Sequence, residues 1–130
     1  MVKRWLFLLA LSALLTLILM ACGSTTTSNN TSGGPNEVHT QGVTFVQSSI
    51  TIAKGSSLTL VDDDNIPHII TNGTWVNGTA KPAKELHAPE ARNVQINGNA
   101  QATIGPFTSA GTFKFYCTIH PGMNLTVIVQ

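Results

Sequence analysis

Gly111-Thr112-Phe113-Lys114-Phe115-Tyr116-Cys117-Thr118-Ile119-His120-Pro121-Gly122-Met123 is the stretch on which the fold turns. Phe113, Phe115 and Cys117 share parity, so on a strand all three point to one face. Two large aromatics make that face the core and bury Cys117 at the strand's end. Lys114 and Tyr116 then face the other way. The alternation stops at Pro121-Gly122 and resumes in Leu125/Val127/Val129, a last strand. The loop between the two strands carries a thiolate, an imidazole and a thioether within the seven residues from Cys117 to Met123. Soft sulfur donors favour Cu(I), and imidazole serves both oxidation states of copper. A second imidazole, His68, lies far upstream in Ile66-Pro67-His68 and must arrive on another strand. Cys117, His68 and His120 make a strong trigonal set, with Met123 as a weak, long axial ligand. Zinc also accepts Cys and His, but a long thioether contributes little to it, so Met123 favours copper.

Working outward, the same two-residue period recurs in Val43/Phe45, Ile50/Ile52, Leu58/Leu60, Val94/Ile96 and Ala102/Ile104. Turn signals punctuate these runs: Lys54-Gly55-Ser56, Asn72-Gly73, Asn77-Gly78, Asn97-Gly98 and Gly105-Pro106. Short strands so spaced predict an all-β Greek-key sandwich or barrel. The best helical prospect is a single turn within Ala83–Arg92, and Pro89 limits it. Trp75, between two Asn-Gly pairs, reads as a core or hairpin anchor. Asp62-Asp63-Asp64 reads as a solvated turn; an acidic docking patch is the sharper alternative. His39 and His87 are expected at solvated surface.

The N-terminus is of another kind. Met1–Ala21 has a basic start (Lys3, Arg4), an apolar run from Trp5 to Leu19 and small residues, the pattern of a secretory signal. It closes on Leu19-Met20-Ala21-Cys22, which resembles the lipobox of bacterial lipoproteins. The resemblance implies cleavage after Ala21 and lipid on Cys22. An uncleaved membrane anchor is the alternative, and both tether the chain outside the cytoplasm. Residues 22–41 are rich in Ser, Thr, Asn and Gly and are expected to be a flexible tether with a typical reach of about 20–25 Å. Residues 42–130 form the predicted domain, long enough for one lean core. The formal net charge is +1, but Lys3 and Arg4 supply the excess. Without them five basic residues face six acidic ones, which argues against a nucleic-acid partner. With Cys22 lipidated, Cys117 is a lone thiol in an oxidising compartment, and a metal would occupy it.

Asp63-Asp64-Asn65-Ile66-Pro67-His68 together with Gly111–Met123 resembles the corresponding segments of the cupredoxins, the plastocyanin/azurin/amicyanin superfamily. The short ligand loop is most similar to that of amicyanins. The resemblance covers the whole predicted domain. It implies an eight-stranded Greek-key sandwich, one type 1 (blue) copper held by His68, Cys117, His120 and Met123, and His120 at an apolar surface where electrons leave. Ile66, Pro67, Ile119 and Pro121 are the expected docking rim. Two positions depart from the family pattern. Ile69 stands where relatives often have Asn, whose side chain ties the two ligand loops together, so a looser or retuned site is expected. Leu125 stands where Gly is common.

The implied activity is one-electron transfer by a tethered monomer to redox partners such as a cytochrome or a membrane oxidase. A copper-trafficking or copper-buffering lipoprotein that supplies an oxidase is the alternative. Dedicated Cu(I) carriers commonly use Met-rich stretches or paired cysteines, and neither occurs here. An enzyme is not expected: the chain has no second histidine cluster and no convincing nucleophile–base arrangement.

Overall fold

The computed structural model describes residues 34–130. Among them are ten strands and no helix. The strands are β1 (Glu37–Gln41), β2 (Thr44–Phe45), β3 (Ser49–Ile52), β4 (Leu58–Asp62), β5 (His68–Val76), β6 (Thr79–Pro82), β7 (Val94–Ile96), β8 (Gln101–Ile104), β9 (Gly111–Cys117) and β10 (Asn124–Val129). One sheet runs β2-β1-β4-β8; the other runs β3-β10-β9-β5-β6, with β7 also on β5. The pairs β1–β4 and β3–β10 are parallel and the remainder antiparallel. The result is the all-β sandwich that the alternating runs predict. Its ten strands exceed the implied eight, and the shortest, β2 and β7, have only two and three residues.

Inward-facing residues alternate as the pleat demands. Leu58 and Leu60 from β4 meet Phe113 and Phe115 from β9 and Leu125, Val127 and Val129 from β10 in one buried cluster. Phe107, fully buried, stacks beside Phe113 and Phe115 with ring centroids 5.7 and 6.0 Å away. Lys114 is exposed, as its parity predicts. Tyr116 does point to the opposite face from Cys117, yet it is only 3% exposed. Trp75 covers it, edge to face at 5.8 Å.

Several expectations are corrected. The predicted tether overlaps the domain, because Glu37–Gln41 is a strand paired with β4 through Val38↔Leu60 and Thr40↔Asp62. A single apolar residue, Val38, in a polar segment hid its alternation. His39 sits on that strand, half-buried, with Nδ1 2.8 Å from the Asp63 carboxylate. Asp62 is not solvated: it follows Leu58 and Leu60 in parity and is 3% exposed. Asn72-Gly73 is not a turn but lies within β5. The Asn72 side chain accepts from the Ala91 N–H (2.7 Å) and donates to the Pro89 carbonyl (3.1 Å). Gly73, at φ +127°, lets the strand bend where any Cβ would meet Lys81 O and, at 2.8 Å, Ala83 N. Asn77-Gly78 does form the β5–β6 turn, with φ of 49° and 74° as a type I′ hairpin requires. Residues 83–92 hold no helical turn. Met1–Ala21, Cys22 and the first part of the tether lie outside the described residues.

Candidate metal centre

His68 opens β5 and Cys117 ends β9. The two strands are antiparallel neighbours with Ile70 opposite Cys117, so both residues reach the same pole of the sandwich. The connection from β9 to β10 supplies the rest. His120-Pro121-Gly122-Met123 is a tight turn in which the Met123 N–H donates to the His120 carbonyl at 3.2 Å. Pro121 and Gly122 (φ +83°) occupy the central positions that a type II turn assigns to them. The Cys117 N–H donates to the Met123 carbonyl at 3.0 Å and closes the loop. The Thr118 N–H donates to the Ile69 carbonyl at 2.8 Å and links this loop to β5.

Three donor atoms converge there. Cys117 Sγ lies 3.4 Å from His120 Nδ1, and His120 Nδ1 lies 3.2 Å from His68 Nδ1. The imidazoles meet at 70° with centroids 5.0 Å apart. All three donors fall within 4.8 Å of one another, and no other such cluster of His, Cys and carboxylate occurs among the described residues. Cys117 and His68 are fully buried and His120 is half-buried. Met123 is 3% exposed and shares the buried cluster with Cys117. At the rim Pro67, Ile119 and Pro121 are exposed and Ile66 is half-buried.

The surroundings of His68 favour its neutral, ligating form. Burial pushes its imidazole below the ordinary value, and the charge of Asp62 partly opposes this. His68 Nε2 faces Asp62 Oδ1 at 4.0 Å, with both side chains fully buried. Neither that nitrogen nor Asp62 Oδ2 has a hydrogen-bond partner among the described residues. Asp62 Oδ1 accepts from the Thr40 hydroxyl (3.2 Å) and the Asp64 N–H (3.3 Å). Asp64 pins the approach to His68: its carboxylate accepts the N–H groups of Gly42 and Ile66, which hold its carboxyl below the usual range.

The sequence profile described as copper binding proteins, plastocyanin/azurin family, matches residues 32–130. The chain belongs to that family. It is 30% identical over 84 residues to plastocyanin A/B of Petroselinum crispum, spanning 65% of this chain and 82% of that one. It is 27% identical over 88 residues to plastocyanin of Ulva prolifera, spanning 66% and 86%. The solved amicyanin of Paracoccus versutus has the same fold, with a TM-score of 0.56 at 22% identity over 74% of this chain and 81% of that one. A cupredoxin binds one copper, and the donors here fit it: one soft buried thiolate with two convergent imidazoles.

Asp62, Trp75, Thr118 and Asn124 surround the ligands in addition to the site residues the sequence predicts. Only Asp62 carried a readable signal, its parity with Leu58 and Leu60. The tie expected from an Asn at position 69 is taken up differently. The Ile69 carbonyl accepts from both the N–H and, at 3.3 Å, the hydroxyl of Thr118.

Proposed function

We propose that this cupredoxin is a membrane-tethered type 1 (blue) copper protein that carries single electrons between extracytoplasmic redox partners. Convergence of His68, Cys117 and His120 at one pole, with Met123 buried in the same loop, supports the proposal above all else. Bound copper supplies a one-electron couple. His68, Cys117 and His120 would hold it, with Met123 as the fourth donor. The surrounding backbone ties leave those donors little freedom to rearrange between oxidation states. His120 is the exit toward partners, and Ile66, Pro67, Ile119 and Pro121 form the apolar rim against which a cytochrome or membrane oxidase docks briefly. Tethering through lipid on Cys22 raises the effective concentration near such partners.

The test loads purified protein with Cu(II) and records visible absorption and electron paramagnetic resonance. An intense visible band, lost in Cys117→Ser, is expected. Copper that survives repeated reduction and reoxidation in the presence of a chelator marks an electron carrier. Rapid loss to the chelator would instead favour a copper-delivery lipoprotein, and a colourless product would overturn both. Fractionation of cells carrying Cys22→Ala, which should release the protein from the membrane, checks the anchor.

A further inference from the structure

Gly73 bends β5 so that its last residues fold over the outer face of β9 instead of continuing beside it. Trp75 lands on the end of β9. Its ring covers Tyr116, and its indole Nε1–H donates to the carbonyl of Cys117 at 2.8 Å. Its backbone is held as well. The Trp75 N–H donates to Asn124 Oδ1 (2.7 Å), and Asn124 Nδ2 donates back to the Trp75 carbonyl (3.1 Å). Asn124 directly follows Met123 and pairs across the ladder with Tyr116. One residue thus grips the Cys117 peptide carbonyl at one end of the metal-ligand loop and the Asn124 side chain at the other, and it does so from the strand that His68 opens.

We propose that Trp75, clasped by Asn124, is a positioning residue of the copper centre that fixes Cys117 from the outer face of the sheet. The Cys117 Cα sits between two anchored peptide groups: its N–H is bound to the Met123 carbonyl and its C=O to the Trp75 indole. With both fixed, the Cα–Cβ direction is fixed, and so is the path of Sγ toward His68 and His120. Outer contacts that orient ligands commonly change metal affinity by about 10- to 100-fold when removed. The inference rests on copper being held by His68, Cys117 and His120.

Trp75→Phe is the decisive variant, because it keeps an aromatic ring against Tyr116 while removing the N–H donor. Release of Cu(I) to a chelator is expected to accelerate about ten-fold, with a shift in the visible band and in reduction potential. In the copper-free protein, hydrogen exchange at the Cys117 amide is expected to quicken. Asn124→Ala should reproduce these effects, and the double variant should add little, since the clasp and the indole act through one residue. Phe107→Ala, which weakens the core away from the brace, serves as the control for general loss of stability. If Trp75→Phe lowers thermal stability while copper release, band and amide exchange stay at wild-type values, the residue is only a packing element and the proposal falls. Because wild-type protein is the reference, a wild-type chain with no blue band would refute the copper-carrier function instead.

Discussion

Gly98→Ala should disturb the copper centre without touching a ligand. Gly98 lies in the β7–β8 turn, directly beneath the chain that leads into His68. A Cβ on Gly98 would meet Asn65 Oδ1 and, at 2.6 and 3.0 Å, the Cα and carbonyl carbon of Asn65. Real Cβ atoms essentially never approach backbone below 3.0 Å, so one of the two segments must move. Neither is free to do so. The Asp62 N–H is bonded to Ala100 O at 2.9 Å, the Asn99 N–H to Asp64 O at 2.7 Å, and His68 pairs with Ile96. Overpacking of this kind costs about 1–3 kcal/mol. Loss of glycine's freedom in the unfolded chain returns about 0.4–1 kcal/mol. A net loss of roughly 1–2 kcal/mol lowers the melting temperature of a domain this size by roughly 4–16 °C. The displacement falls three residues before His68, so the visible band and the reduction potential should shift as well.

Gly55→Ala provides the contrast. It lies at the opposite pole, at φ +89°, with nothing within 4 Å of an added Cβ. Its cost is conformational, about 1–2 kcal/mol for a left-handed backbone, and the copper spectrum should be untouched. Thermal unfolding of the copper-free proteins gives the first quantity; spectra and voltammetry of the copper-loaded proteins give the second. Gly98→Ala with stability within 0.5 kcal/mol of wild type and an unchanged band would refute the close approach of Asn65 to Gly98 and its bearing on His68.

Met123→Leu conserves volume and should cost under about 1.5 kcal/mol in the copper-free protein. A changed paramagnetic spectrum and reduction potential in the loaded protein would identify Met123 as a ligand, and unchanged ones would remove it from the set. Phe107→Ala should cost about 3–5 kcal/mol by urea unfolding while leaving the blue band in place, since Phe107 packs on Phe113 and Phe115 and supplies no donor atom. Burial holds the folded-state value of His68 below 6.5, so the unfolded chain binds that proton first. Stability of the copper-free protein from this group is therefore fully present above pH 6.5 and lost as pH falls below it. Bound copper should blunt that loss, which denaturant titrations between pH 5 and 8 with and without copper will measure.

The sandwich was legible because its strands present one apolar face and one polar face, so Phe113, Phe115 and Cys117 announce both their strand and their orientation. The ligand loop was legible because its donors are close in sequence and chemically unusual together. What escaped reading has a common cause. Val38, Thr40 and Asp62 occupy buried positions with polar or isolated side chains, and a polar residue in a core is defined by partners far away in sequence. Thr40 is buried because Asp62 accepts its hydroxyl, and Asp62 because His68 faces it. Asn72-Gly73 misleads for the same reason. The pair resembles a turn locally, but Ala91 and Pro89 take up the Asn72 amide and β6 crowds Gly73, so tertiary contacts turn a hairpin signal into a bend within a strand.

That bend has a consequence for the copper centre that runs through the whole fold. Without Gly73, β5 would continue flat beside β9, and Trp75 would lie well along the sheet from Cys117. With it, one strand supplies the first histidine at its start and the indole brace at its end. The cysteine strand is thereby held by β5 on its edge and on its outer face. Ile69 therefore need not bring a side chain to join the ligand loops: its carbonyl, Thr118, Trp75 and Asn124 already do so. Every one of these bonds joins protein to protein, so none of them uses the metal as a partner. His68, Cys117 and His120 would hold copper with donors gathered by that frame, which would resist their rearrangement on a change of oxidation state.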